Sequence, residues 1–131
     1  MIDGEKFLYE NYQDKRFRIS PSSFLQANKS AAELLIRSTL QHADLNEETI
    51  LVDIGSAIGI FSILAADKVK KVYSIDPSLS SIDDCKFNAE LNRSPSNIEW
   101  IGGFPEANLH RVLKKISDLH PDQSRIVAIV N

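Results

Sequence analysis

From residue 49 onward, short continuous apolar runs alternate with longer stretches whose apolar residues recur at helical spacing. The runs are "TILVDI" (49–54), "KVYSI" (71–75), "NIEWI" (97–101) and "RIVAIV" (125–130). Between them lie "GIFSILAADK" (59–68), "SLSSIDDCKFNAELN" (78–92) and "PEANLHRVLKKISDLH" (105–120). The last has Pro105 in its first turn and an apolar face at Leu109, Val112, Leu113 and Ile116. In the middle one, Ser80 or Ser81 is the expected N-cap, with Asp83 and Asp84 in the first turn complementing the macrodipole. Strands that are apolar throughout and separated by helices predict a parallel sheet covered on both faces, a doubly wound α/β fold.

The N-terminal third follows a different pattern. "KFLYENY" (6–12) and "RFRIS" (16–20) flank the polar "QDK" and predict a hairpin. A Ser/Pro/Asn-rich connection, "SPSSFLQANKS", leads to a helix over 30–44 with apolar residues at 32, 35, 36, 40 and 43, capped by Ser30 or Asn28. The chain thus divides into a hairpin and helix (1–49) and an α/β half (50–131), expected to form one domain. "RIVAIV" reads as a strand buried on both faces, with nothing following to cover one edge. A bare apolar edge predicts a homodimer through that strand, or poor solubility.

In such sheets, ligands bind beyond the carboxyl ends of the strands, where strand order reverses. Residues 54–60, 76–77, 102–104 and 131 should therefore converge. "DIGSAIG" supplies Asp53, Gly55, Ala57 and Gly59. Glycines allow a sharp turn and close ligand approach, and the following helix offers free N–H groups. This is neither the G-x-G-x-x-G fingerprint, whose third glycine has no match, nor a P-loop. Alone it is equally a plain tight turn. Asp76, about 20 residues on, adds an acid suited to two adjacent ribose hydroxyls, although before Pro77 it also suits a turn. Together the two features favour an adenosine-containing cofactor.

Composition narrows the classes. The net charge is −3, from 15 Lys+Arg against 18 Asp+Glu, so nucleic acid would be held through a local patch or another part of a longer protein. Basic residues gather at 14–18 and 67–71, which also read as solvated segments. A single cysteine, Cys85, excludes an internal disulfide and a cysteine-rich zinc site. His42, His110 and His120 have no ligand spacing, Glu106 reads as a helix-terminal charge, and Trp100 as core. No run of about 18 apolar residues exists, and no secretory h-region precedes the first element. An intracellular, membrane-free protein is the expectation, with cytoplasm, nucleus or mitochondrion all open.

"FRISPSSFLQANKSAAELL" followed by "ILVDIGSAIGIFSILAADKVKKVYSID" resembles the RNA (uracil-5-)-methyltransferases, particularly their eukaryotic tRNA branch. Phe17, Ile19, Ser20, Pro21, Phe24, Gln26 and Asn28 match the family's F-x-I-S-P-x-x-F-F-Q-x-N segment, and "NAELN", "NIEWIGG" and "IVAIVN" extend the likeness. The resemblance implies a Rossmann-like class I methyltransferase fold cut after its fourth strand, with S-adenosyl-L-methionine as cofactor and tRNA as substrate. It further implies that Gln26 contacts the methionine part and that the Gly55–Gly59 turn passes beneath the cofactor, with Asp53 holding the loop. Asp76 would bind the ribose, Gly103 and Phe104 the adenine edge, and Asn131 would stand near the transferred methyl. Phe24 suits a core contact or a wall of the site equally.

Departures from the family pattern weaken the expected binding. Ala57 replaces a glycine, Asp76 shortens a usual Glu, and Phe104 stands where a polar side chain is usual. The family's attacking cysteine and its proton-removing glutamate belong to a region beyond Asn131, so no catalytic residue is expected in this chain. Cys85, beside Asp83 and Asp84, should have a raised thiol pKa. The alternatives are a non-catalytic binding or assembly module derived from a methyltransferase, and a nucleotide-dependent dehydrogenase. If Ala57 has negative φ, its methyl only crowds the ligand; if φ is positive, the loop is strained.

Overall fold

The computed structural model describes residues 7–19, 29–122 and 125–131. Strands β1 (Leu8–Tyr12) and β2 (Lys15–Ile19) pair antiparallel, with Leu8 opposite Ile19 and Tyr12 opposite Lys15. Helix α1 (Lys29–Ala43) follows. The rest alternates strand and helix: β3 (Thr49–Ile54), α2 (Ile60–Ala65), β4 (Lys71–Asp76), α3 (Leu79–Leu91), β5 (Ile98–Gly102), α4 (Pro105–Leu119) and β6 (Arg125–Val130). The four later strands form one parallel sheet in the order β5-β4-β3-β6. Chain order therefore reverses at β3, between β4 on one side and β6 on the other.

Burial explains the apolar runs. On β3, flanked on both sides, Ile50, Leu51 and Val52 are at most 1% exposed. Leu51 and Val72 face a cluster shared with the hairpin residues Tyr12, Phe17 and Ile19, with α1 and with α2. Ile50, Val52, Tyr73 and Ile75 face the opposite layer, where Val112 and Ile116 of α4 cover them. Each such aliphatic side chain contributes about 1.5–3 kcal/mol by leaving water.

Several expectations need correction. The cap of α3 is Ser78, whose hydroxyl accepts the Ser81 N–H; neither Ser80 nor Ser81 caps it, and no acid lies in its first turn. The helix starts at Leu79, earlier than a cap at Ser80 or Ser81 implies, so Asp83 and Asp84 fall beyond its first turn and the macrodipole's reach. Ser30 lies inside α1 rather than before it, and Asn28 lies outside the described residues. The predicted helix over 59–68 is α2 plus one 3-10 turn, Ala66–Lys68. Leu35 and Leu113 are half exposed, so the buried stripes of α1 and α4 are narrower than their apolar patterns.

Strand β6 is also not buried on both faces. Val127 and Ile129 turn to the core, whereas Ile126 and Val130 are 50% and 76% exposed. Helix α4 covers β4 and the adjacent part of β3, and none of the described residues covers the outer face of β6.

Candidate functional site

The loop 55–59 leads from the carboxyl end of β3 into α2 and is hydrogen-bonded to the carboxyl end of β4. Both Gly55 N–H and Ser56 N–H donate to Ile75 O, at 2.8 and 3.3 Å, and Gly59 N–H closes the turn onto Ser56 O at 2.8 Å. Gly55, Ala57 and Gly59 all have positive φ, at 78°, 52° and 89°. A Cβ on Gly55 would lie 2.8 Å from the Asn131 carbonyl oxygen, a backbone atom that cannot turn aside. At Gly59 it would crowd Ile63 and Trp100 at 3.2 and 3.3 Å. Both glycines are thus required by close approach as well as by dihedral. Ala57 carries its Cβ in the left-handed region, at a cost of about 1–2 kcal/mol, and its positive φ resolves the alternative that the sequence left open.

The two acids divide the work around this loop. Asp53, fully buried at the end of β3, accepts the Ser62 hydroxyl at 2.7 Å and so fixes the first turn of α2. Its Oδ1 has no hydrogen-bond partner among the described residues. Burial pushes its carboxyl pKa up to about 6, hydrogen bonding from Ser62 pulls the other way, and the Asp76 charge adds a smaller upward push. Asp76 is the residue that grips the loop. Its Oδ2 accepts the Ala57 N–H and its Oδ1 the Ser78 N–H, each at 2.9 Å. The charge-assisted bond to Ala57 N–H, worth about 1.5–3 kcal/mol, offsets the strain there.

The other predicted positions border the same strand ends. Gly103, with φ 145°, follows β5, and its N–H donates to Asp76 O at 2.9 Å. A Cβ there would meet Asn108 Nδ2 at 2.5 Å, and that amide holds Phe104 O at 2.9 Å. Phe104 is 65% exposed, and Leu79, at the start of α3, is exposed as well. Asn131 N–H donates to Ile54 O at 2.9 Å, which places the residue against Gly55 on the β6 side. A cleft next to Ser56–Ile58 is lined by Tyr12, Ala32, Leu35, Ile36 and Asn131. Ser20, Pro21, Phe24 and Gln26 lie outside the described residues. The structure therefore places Gly55, Gly59, Asp76, Gly103, Phe104 and Asn131 at the carboxyl ends of neighbouring strands, on either side of the reversal of strand order, with Asp53 buried behind the loop; of these, Asn131 lines the cleft.

Three supporting residues carry no signal of their own in a motif search. Cys85, buried on α3, donates its thiol to Ala57 O at 3.1 Å. Burial is the main reason its thiol pKa is raised far above the usual range, and the carboxylates of Asp53, Asp76 and Asp84 add to it. Asn88 and Asn92 bind the backbone of β2. Their spacing of four in "NAELN" was the available clue, because it puts two amides on one helix face. Among the described residues no group of His, Cys, Asp and Glu could hold a metal ion. Nor is any helix long and apolar enough to cross a membrane.

No family model matches the chain. It is 30% identical over all 131 residues to human tRNA (uracil-5-)-methyltransferase homolog B, covering 25% of that protein. It is 36% identical over 103 residues, 79% of this chain, to an uncharacterised RNA methyltransferase of Oceanobacillus iheyensis, covering 22% of it. The chain thus spans about a quarter of these relatives' length. Among solved structures, a Pyrococcus abyssi tRNA (uracil-54, C5)-methyltransferase in complex with S-adenosyl-L-homocysteine superposes with a TM-score of 0.62. The two are 28% identical, and the match covers 91% of this chain and 33% of that one. An M. jannaschii tRNA m1G37 methyltransferase, 20% identical, shares the fold with a TM-score of 0.62, over 74% of this chain and 30% of its own. By sequence the chain is a relative of the RNA (uracil-5-)-methyltransferases, matching about a quarter of their length, and its fold is that of the class I S-adenosylmethionine methyltransferases.

Proposed function

We propose that this chain is the cofactor-binding portion of an S-adenosylmethionine-dependent methyltransferase acting on C5 of uridine in tRNA. The observation that carries this reading is the convergence of a two-glycine loop with Asp76, at a reversal of strand order, in a chain related to these enzymes along its whole length. The residues fit such a cofactor. Each Asp76 oxygen accepts one amide and keeps a second lone pair, enough for two adjacent ribose hydroxyls. Phe104 and Leu79 offer apolar surface for a purine, and the cleft beside Ser56 would take the methionine end, with Gln26 contributing from the preceding segment. When bound, the cofactor supplies a methyl group activated by its sulfonium. The chain's own part is to bind and orient it, Asp76 by charge and Gly55–Gly59 by close approach.

Attack on the uracil ring is assigned to no residue of this chain. Cys85 is buried and its thiol is held protonated, the opposite of what a nucleophile needs. Calorimetry with S-adenosylmethionine, S-adenosylhomocysteine and NAD tests the reading. Binding of the first two that disappears in Asp76→Ala and Gln26→Ala is the expected outcome, and binding of NAD alone would refute it. The 131-residue chain is expected to leave tRNA unmethylated; methyl transfer to uridine by it would overturn that part.

A second reading, a non-catalytic module derived from a methyltransferase, is favoured by one feature: both Asp76 oxygens already serve backbone amides, which draws the carboxylate toward the loop. Absence of binding to any of the three ligands supports it. The exposed outer face of β6 adds an assembly proposal, self-association through that strand's open edge.

A further inference from the structure

The hairpin and the glycine loop are distant in sequence, yet one side chain joins them. Asn88 of α3 is fully buried. Its Oδ1 accepts Arg18 N–H at 2.7 Å, and its Nδ2 donates to Arg18 O and to Ile58 O, both at 3.0 Å. Asn92 repeats the motif one turn on, accepting Arg16 N–H at 3.0 Å and donating to Arg16 O at 2.8 Å. The geometry matches because four helical residues rise about 6 Å and two strand residues advance about 6.7 Å. Two amides one turn apart thus replace the third strand that the edge of β2 lacks. The guanidinium of Arg18 lies between the Phe7 and Phe87 rings, 4.2 and 3.6 Å from their centroids, and meets Asp84 at 3.4 Å.

Of the two asparagines, Asn88 also reaches the loop, at Ile58 O. From this we infer that Asn88 is a positioning residue that couples the hairpin to the glycine loop. Strand β2, whose chain continues into the segment carrying Gln26, is thereby held in fixed relation to Ala57 and Gly59. The coupling deepens the proposed cofactor site and rests on that reading only for its effect on affinity.

The test compares Asn88→Ala and Asn88→Asp, which keeps an acceptor for Arg18 N–H but loses the donor to both Arg18 O and Ile58 O, with two controls. Asn92→Ala releases Arg16 without touching the loop. Asn97→Ala removes another clamp, to Ala66 O and Val69 O. Amide hydrogen exchange at Ala57 and Gly59, relative to β5 amides, should rise about tenfold in the Asn88 variants and stay near wild type in both controls. Affinity for S-adenosylhomocysteine should fall about tenfold in the Asn88 variants alone, at urea midpoints comparable with the controls. Unchanged loop exchange in the Asn88 variants, or affinity losses that follow stability alike in all four, would overturn the coupling. If the wild-type chain binds no S-adenosylhomocysteine, the cofactor reading fails and loop exchange alone decides the coupling.

Discussion

Ala57 is held at positive φ by partners on both sides, the Asp76 carboxylate on its N–H and the Cys85 thiol on its carbonyl. Ala57→Gly relieves about 1–2 kcal/mol of strain but loosens the unfolded chain by about 0.4–1 kcal/mol. The variant should therefore be as stable as wild type or more so, by up to about 1.6 kcal/mol, in urea unfolding; a lower midpoint would contradict the strain. Gly55→Ala has no such latitude. Its Cβ would meet the Asn131 carbonyl, so a loss of at least about 2 kcal/mol is expected, through strained φ and displacement of the β6 end. Asp53 adds a pH dependence. Its folded pKa of about 6 lies above the unfolded value near 3.8, so between these the native state binds more protons. Stability from this group is present at low pH, declines as pH rises through that window, and the cost of a buried carboxylate is complete above pH 6. Asp53→Asn removes the effect. Relative to that variant, wild type should lose about 2 kcal/mol between pH 4 and pH 7. Parallel stability profiles for the two proteins would show that Asp53 stays ionised throughout.

At the scale of elements, α3 is the member on which the site depends. Its start is fixed by Ser78, whose hydroxyl caps the helix and whose N–H binds Asp76 Oδ1. Ser78→Ala should cost about 1 kcal/mol in chemical unfolding, as the loss of an N-cap does, while leaving the Ser78–Asp76 backbone contact in place. A cost no greater than about 0.2 kcal/mol would show that the cap is dispensable. Further along α3, Cys85 reaches the loop, Asn88 reaches the loop and β2, and Asn92 reaches β2 alone. Helical periodicity lines these residues up, so one rigid element carries the loop and the hairpin together.

For the molecule as a whole, the sheet ends in β6 with Ile126 and Val130 exposed on one face, beside an edge that no described strand pairs. If self-association uses this strand, Ile126→Lys should shift sedimentation toward the monomer without altering the urea midpoint by more than about 0.5 kcal/mol, because the position is already half in water. An unchanged distribution would place any contact elsewhere. The molecular net charge of −3 also bears on the proposed tRNA substrate. A tRNA would need basic surface beyond what this chain supplies, consistent with relatives four times its length.

The sequence by itself determined the elements and their order, because the strands from 49 to 130 are short, largely apolar runs and α4 carries a periodic apolar stripe between two of them. It also placed Gly55, Gly59, Asp76 and Gly103 at strand ends, since alternation of strand and helix puts those ends on one side of the sheet. What only the tertiary structure decided was which groups each of these residues meets. That Asp76 grips the loop while Asp53 anchors α2, that Ala57 takes positive φ, and that Asn88 bridges β2 to Ile58 all depend on contacts between residues remote in sequence. The same holds for β6, whose apolar residues predict burial on both faces, although burial requires a covering layer that a strand's own sequence cannot provide.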